Sequence, residues 1–372
     1  MRTRYVWCAV LAAMVATPSS LFADFSYQET NQMTGGALLG MMRMAGMLSS
    51  QAHQANQPIQ SYIYLKGNRM ARVSPQSIEI TDLDKDTITH IDPVKHTYTV
   101  TTFEQMKEQL AEARRQMENK QAEQPTAQNP DAQNVQMSFD ARVRKTGAAK
   151  QVSGLDTSEA ILTLMMNATD TQTAQKGSMG ITNDMWLAPE VPGYDQVREF
   201  SKRMAERMGE VFADSGFNMS RMLAGQPGAT QALADLAKEM QEVQGVPVLQ
   251  VMRMGTTTDG QPLAAASEAP LPANSGPQMP SAGDVAKQGA ASEIASHLGG
   301  FGGFGGFGHK KPASPPADQP PPDGQAAQPA SAVLLELQTE SSNFSTEPVD
   351  ESHFQIPGGY QQVQPEMHHA EQ

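Results

Sequence analysis

Alternating apolar and polar residues between Ile59 and Thr101 constrain the fold more than any other feature of the chain. The alternation comes in short runs, which are separated by Gly67-Asn68, Asp82–Asp86 and Asp92-Pro93. A period of two places successive side chains on opposite faces of a strand, and tight turns between such runs join neighbouring strands in antiparallel order. The pattern therefore predicts an antiparallel meander of short strands, each buried on one face.

Further strands and helices are predicted on both sides of this meander. Additional strands are expected at 25–30, 135–145, 150–152, 159–167, 177–187, 246–256 and 333–339. Helices are expected before Ser50, after Thr102, after Pro192-Gly193 and at about 230–244; Thr102 and Gln105 have the spacing of a capping box. The strand at 159–167 is apolar on both faces apart from Thr163, so we expect it to be covered on both sides.

The N-terminal segment 1–23 is typical of a secretory signal peptide. Arg2 and Arg4 precede an apolar run that is too short to span a bilayer, and small residues lead to Ala23. Cleavage there would remove Cys8, the single cysteine of the chain, so disulfides and thiolate sites are excluded from the mature protein. We expect a soluble, periplasmic or secreted protein that does not span a membrane.

Composition divides the rest of the chain. The stretch 259–331 is rich in Ala, Pro, Gly and Ser and contains a Gly-Phe repeat at 299–308, so it is predicted to be a disordered insertion. We expect one α+β domain formed by 24–258 and 332–360, with a disordered tail at 361–372. The net charge of −13 disfavours nucleic acid as a partner, because the chain has no excess of cations to neutralise phosphates.

Motifs for catalysis or metal binding are missing or incomplete in the sequence. Asp82-Leu-Asp84-Lys-Asp86 begins like a calcium loop, but Thr87 and Pro93 stand where that loop needs glycine and glutamate. Neither a zinc-protease motif, nor a nucleophile elbow, nor a nucleotide-binding glycine loop is present. The sequence predicts a protein that is not an enzyme, with no catalytic residue, no metal site and no cofactor.

Methionine is unusually frequent, with 24 residues against 12 phenylalanines. Clusters occur at 41–47, 165–166, 204–208 and 252–254. Three explanations are open: ordinary core packing, binding of Cu(I) by thioethers, and a deformable apolar cavity for an acyl chain.

Several turn and strand motifs of the chain are distinctive: Lys66-Gly-Asn-Arg-Met70, Ile80–Thr89, Ile91-Asp-Pro93, Lys95-His-Thr-Tyr98, Phe103-Glu-Gln-Met106, Trp186–Tyr194, Phe344–Asp350, Phe354-Gln-Ile-Pro357 and Gly359-Tyr360. Together they resemble an exported bacterial family, a domain of unknown function that is similar in architecture to periplasmic lipoprotein carriers of the LolA/LolB type. The resemblance implies a strongly curved antiparallel sheet, an unclosed β-barrel, with helices covering its concave side around an apolar cavity.

This resemblance leads to a functional hypothesis of binding rather than catalysis. The expected ligand is a lipid, an acyl chain or a lipoprotein held in the half-barrel. Candidate cavity residues, each also compatible with ordinary core packing, are Met41, Met44, Leu48, Tyr62, Tyr64, Met106 and Trp186. Two alternatives stay open: an envelope interaction module that binds a partner protein through the insertion, and a Cu(I) site formed by the methionine clusters.

Overall fold

The computed structural model describes residues 24–46, 57–123, 135–170, 176–215, 229–241, 243–257, 260–271 and 331–364. The predicted signal peptide lies outside these residues, as do most of the predicted insertion and the end of the predicted tail. Within them, twelve strands form one large curved sheet that does not close into a barrel, and four α-helices accompany it. The predicted mixed fold with a curved, open, largely antiparallel sheet is confirmed at this level.

One half of the sheet is the predicted meander together with the first strand, which is predicted separately. It consists of β1 (Phe25–Gly35), β2 (Ile59–Lys66), β3 (Arg69–Val73), β4 (Ile78–Asp82), β5 (Thr87–Asp92) and β6 (Thr97–Thr102), all joined in antiparallel order. Helix α1 (Ala37–Gly46) follows β1, and α2 (Phe103–Glu123) follows β6. The predicted capping box is confirmed: the Gln105 side chain accepts from the Thr102 N–H at 2.9 Å, and the Thr102 hydroxyl accepts from the Gln105 N–H at 3.1 Å.

The other half is built from longer strands. It contains β7 (Val135–Val152), β8 (Leu155–Asp170), β9 (Lys176–Ala188), β10 (Val246–Thr257) and β11 (Ser331–Ser345), with α3 (Asp195–Asp214) and α4 (Ala229–Gln241) between β9 and β10. The sheet order is β12-β6-β5-β4-β3-β2-β1-β11-β10-β9-β8-β7. Strand β11 therefore lies between β1 and β10 and joins the two halves.

Irregular pairing accompanies the curvature of the sheet. Register shifts occur in the β1–β11, β10–β11, β9–β10 and β7–β8 pairs, and an extra residue in one strand bends it and increases its twist. At the shift in the β10–β11 pair, a Cβ on Gly255 would lie 2.1 Å from the carbonyl oxygen of Ala332. Only glycine allows the two backbones to approach so closely at this point.

The main core lies where α2 and α3 pack against strand ends. Phe25 and Ile63 from β1 and β2 join Phe103 of α2 and Phe200 of α3, and Trp186 and Val248 extend the cluster to β9 and β10. A smaller cluster on the meander contains Ala71, Ile80 and Ile91. Phe354 and Tyr360 of the C-terminal segment pack against that smaller cluster.

Two segments that the sequence assigns to disordered regions have defined structure. Residues 260–271, here called the strap, pack on the sheet with Leu263 and Ala265 buried. These apolar residues stand in an Ala- and Pro-rich context, and composition alone does not separate them from the stretch that follows. Near the C-terminus, β12 (Gln361–Gln362) pairs in parallel with β6, where sequence analysis predicts a tail.

Candidate binding face

A broad apolar surface crosses the sheet from β8 to β11. Strand register aligns Leu162, Asn183, Met252 and Leu337 in one row and Leu164, Ile181, Met254 and Leu335 in the next. Side chains that are directly opposite in such rows lie on the same face. We define the apolar face by six of them, all half-buried: Leu162, Leu164, Ile181, Met252, Met254 and Leu337. Val143 on β7 and Met33 on β1 extend the same rows at either side.

A polar border runs along one side of the apolar face. The adjoining register row contains Met185, Gln250, Thr339 and Asn31. The Asn183 side-chain amide donates a 3.0 Å hydrogen bond to Gln250 Oε1, and the Thr339 hydroxyl donates a 2.6 Å bond to Asn31 Oδ1. The face therefore combines an apolar centre with amide and hydroxyl groups at its edge, which is the usual chemistry of a site for an amphipathic ligand.

Two helices pack on strands that border the apolar face. Helix α1 packs against β1 and β11, with Met41 exposed over 55% of its surface and Leu38 over 40%. Helix α4 packs against β7, and Val243, which follows it, contacts the buried pair Ala160 and Met185 on the same face of the sheet. The half-buried aliphatic and thioether side chains thus lie between two elements that carry further apolar groups.

The reverse face of these strands holds buried polar groups. Thr182, Asp184, Arg253 and Glu336 are all nearly inaccessible beneath the strap. Arg253 Nε donates a 2.6 Å hydrogen bond to Glu336 Oε2, and the Thr182 hydroxyl donates to the carbonyl oxygen of Leu263 at 2.8 Å. The usual distribution is inverted here, because the polar side of the strands is covered and the apolar side is half open.

Two carboxyl groups under the strap share one environment. Asp184 Oδ2 accepts a 3.0 Å hydrogen bond from the Ser267 N–H, and the Thr146 hydroxyl donates to Glu159. Burial, with the charge of Glu159 beside it, raises the pKa of Asp184. Burial also acts to raise the pKa of Glu159, but hydrogen bonds from Ser267 and Thr146 outweigh it and the pKa is lowered. Asp184 is therefore the carboxyl group that keeps its proton to higher pH.

Replacing Asp184 with asparagine is expected to stabilise the fold increasingly as pH rises. The unfolded state of the natural chain loses the Asp184 proton near the ordinary value of 3.8, whereas the native state holds it until its raised pKa is passed. Stability is lost over that interval, and asparagine has no such loss. Thermal unfolding between pH 4 and pH 9 measures the difference, and each kcal/mol gained corresponds to about 2–4 °C.

The exposed Asp156 supplies the control for this series. Asp156→Asn removes a carboxylate on the same hairpin, where surface substitutions change stability by less than about 0.5 kcal/mol. Equal pH profiles for Asp184→Asn and the natural chain would contradict the assignment of the retained proton.

The residues proposed from sequence do not all lie together. Met41 lies exposed on α1, Met44 is described only as part of the α1 backbone, and Leu48 lies outside the described residues. Met106 packs against the main core and Trp186 belongs to it. Among these residues, Met41 and the backbone of Met44 belong to α1, which packs on the β1–β11 edge of the apolar face.

Tyr62 and Tyr64 lie on the other side of the sheet. They pair with Gln28 and Ser26, whereas Met33 of the apolar face is at an odd position of β1. Because successive residues of a strand point to opposite faces, the two tyrosines and the apolar face are on opposite sides.

The apolar face itself was missed at the level of sequence, although its signal is present. Met252 and Met254 alternate with Val251 and Arg253, and this pattern favours placing the methionines inside. The expectation that the 159–167 strand is covered on both sides is incomplete, since Ile161 is buried beneath the strap whereas Leu162 is half-buried. The sequence does not reveal that Arg253 is buried. Its burial places the methionines, which alternate with it, on the accessible face.

Four negative findings complete the description of the candidate site. Comparison with models of known protein families gives no match, and comparison with curated proteins gives no significant relative. Within the described ranges, no group of three or more His, Cys, Asp or Glu side chains is arranged to hold a metal ion. In the same ranges, no helix has both the length and the apolar composition needed to cross a bilayer.

Proposed function

We propose that this is an exported, non-enzymatic protein that binds the acyl chain of a lipid or lipoprotein on the apolar face of a LolA-like half-barrel. One observation carries the proposal: the central strands bury Arg253, Asp184 and Glu336 while they leave Leu162, Met252 and Leu337 half open. Polar groups are usually exposed and aliphatic groups buried. A fold that covers its polar groups on one face and leaves aliphatic groups accessible on the other retains the apolar face for a ligand.

The side chains of the apolar face suit an acyl chain. Each buried methylene contributes roughly 0.8 kcal/mol to transfer from water. Met252 and Met254 are unbranched and rotate about three side-chain bonds, so they adapt to chains of different length and curvature. The row of Gln250, Thr339 and Asn31 lies at the edge, where a carbonyl oxygen of the ligand could accept a hydrogen bond and a glycerol hydroxyl could accept or donate one.

Displacement of a fluorescent fatty acid tests this proposal. The full chain is titrated with a dansyl-labelled undecanoic acid, palmitate is added as competitor, and lipids are extracted from protein of native source for mass spectrometry. Met252→Lys is expected to weaken binding at least about tenfold, since an ammonium group on the apolar face would have to be desolvated by the chain.

The matched control is Val94→Lys, which places the same charge on a residue exposed over 76% of its surface in the β5–β6 turn. Its affinity should equal that of the natural chain. Equal affinities for Met252→Lys and Val94→Lys, or no displaceable binding and no co-purified lipid, would remove the proposal.

A further inference from the structure

Three nearly parallel aromatic rings lie together on the opposite side of the sheet. Tyr62 and Tyr64 have ring centroids 6.5 Å apart with an angle of 18° between their planes. His353, from the C-terminal segment, stacks on Tyr64 at 3.7 Å and 10°. Tyr62 remains exposed over 47% of its surface. The three rings are therefore nearly parallel, with His353 covering one face of Tyr64, and they form a platform whose outer ring, Tyr62, is open to solvent.

A shallow pocket of about 190 Å³ adjoins this platform. Ser26, Gln28, Tyr27, Tyr62, Tyr64 and Asn343 line it. Pockets for drug-sized ligands are larger, roughly 300–1,000 Å³, so the space suits a single ring. All six lining residues are uncharged at neutral pH, which favours a neutral ligand over a phosphate or a carboxylate.

A strained residue places an amide at the rim of the pocket. Asn343 has a φ of 53°, in the left-handed region, at the register shift between β1 and β11. Its amide nitrogen donates a 2.8 Å hydrogen bond to the side-chain carbonyl of Gln28. One hydrogen bond uses only part of the capacity of the two amides. The donors and acceptors that remain lie beside the aromatic platform, and backbone strain of this kind often accompanies a ligand site.

We propose that this pocket binds a neutral saccharide ring, with one face of the sugar on Tyr62 and its hydroxyl groups on Gln28 and Asn343. The C–H groups of a pyranose carry partial positive charge and fit the negative face of an aromatic ring. Paired amides recognise adjacent hydroxyl groups because they both donate and accept. An acyl chain would leave the remaining donors and acceptors of those amides without partners, which is costly. This site is distinct from the apolar face and lies on the opposite side of the sheet.

Saturation-transfer NMR on the full chain tests the proposal with chitotriose, maltotriose and cellotriose as probes. At least one of the three should receive saturation, and Tyr62→Ala should weaken its binding about fivefold to tenfold. Tyr62→Phe keeps the ring and should bind within about twofold of the natural chain. Palmitate should not displace the sugar, so the outcome is independent of acyl binding on the other face.

Asn343→Gly separates a binding role from a structural one. Glycine adopts the positive φ without strain, so the thermal midpoint should be unchanged or higher, while sugar affinity falls because the amide is absent. The proposal is overturned if none of the three oligosaccharides binds, if Tyr62→Ala binds as well as the natural chain, or if Asn343→Gly retains full affinity.

Discussion

Replacing Arg253 with alanine is expected to lower the free energy of unfolding by about 3–5 kcal/mol, one of the two largest effects predicted for this chain. The side chain is 2% exposed and donates to Glu336 at 2.6 Å and to the carbonyl oxygens of Ala264, Ala265 and Ala269 at 2.9, 3.0 and 2.8 Å. Removing it leaves a buried carboxylate and three strap carbonyls without their donor. Urea unfolding followed by circular dichroism measures the loss.

Two further variants separate the contribution of the buried charge from that of an ordinary surface ion pair. Arg144→Ala removes an arginine whose ion pair with Glu268 is half exposed, and such pairs contribute about 0–1 kcal/mol. The double variant Arg253→Met with Glu336→Leu removes both buried charges, so it should recover part of the stability but not the three strap hydrogen bonds. A loss for Arg253→Ala no greater than that for Arg144→Ala would show that the strap does not depend on the buried cation.

The meander could be predicted from sequence because its information is local. Most strands in 59–102 are followed by a turn with its own signal, and neighbouring strands in the chain are neighbours in the sheet. The Thr102–Gln105 capping box is equally local, and its two reciprocal hydrogen bonds are present. Such features depend on residues a few positions apart, and tertiary contacts do not alter them.

The central pairing of the sheet could not be derived from sequence. β1 pairs with β11, so Asn31 lies opposite Thr339, more than three hundred positions away. Alternation predicts that each is a strand, but it does not say which strands meet or in which register. The neighbours of each face, and therefore the composition of the apolar face, follow only from that register.

The sequence also could not predict which side of each central strand is buried. Arg253, Asp184 and Glu336 are residue types that rarely lie inside a protein, so an alternating strand that contains them is normally placed with those residues outward. The strap reverses this preference by supplying backbone donors and acceptors, including the Ser267 N–H and the Ala264 carbonyl oxygen. Because the strap lies in an Ala- and Pro-rich stretch, composition obscured it.

Phe25→Ala is expected to cost about 3–5 kcal/mol of unfolding free energy, comparable to the arginine variant but for an apolar reason. Phe25 has no exposed surface and lies in the main core, with ring centroids 6.1 Å from Tyr194 and 6.3 Å from Phe344. A Cβ on Gly193 would lie 2.7 Å from the same ring. The ring thus joins the first strand, the last long strand and the turn that begins α3, and alanine would leave a cavity among all three.

Phe212→Ala is the matched control, because that phenylalanine lies on α3 with 38% of its surface exposed and its loss should cost about 1 kcal/mol or less. Hydrogen exchange adds a spatial readout. If Phe25 joins the two halves of the sheet, Phe25→Ala should increase exchange in both β1 and α3, whereas Phe212→Ala should affect α3 alone. Equal losses of stability in the two variants, or faster exchange confined to β1, would contradict a single core shared by the strand ends and α3.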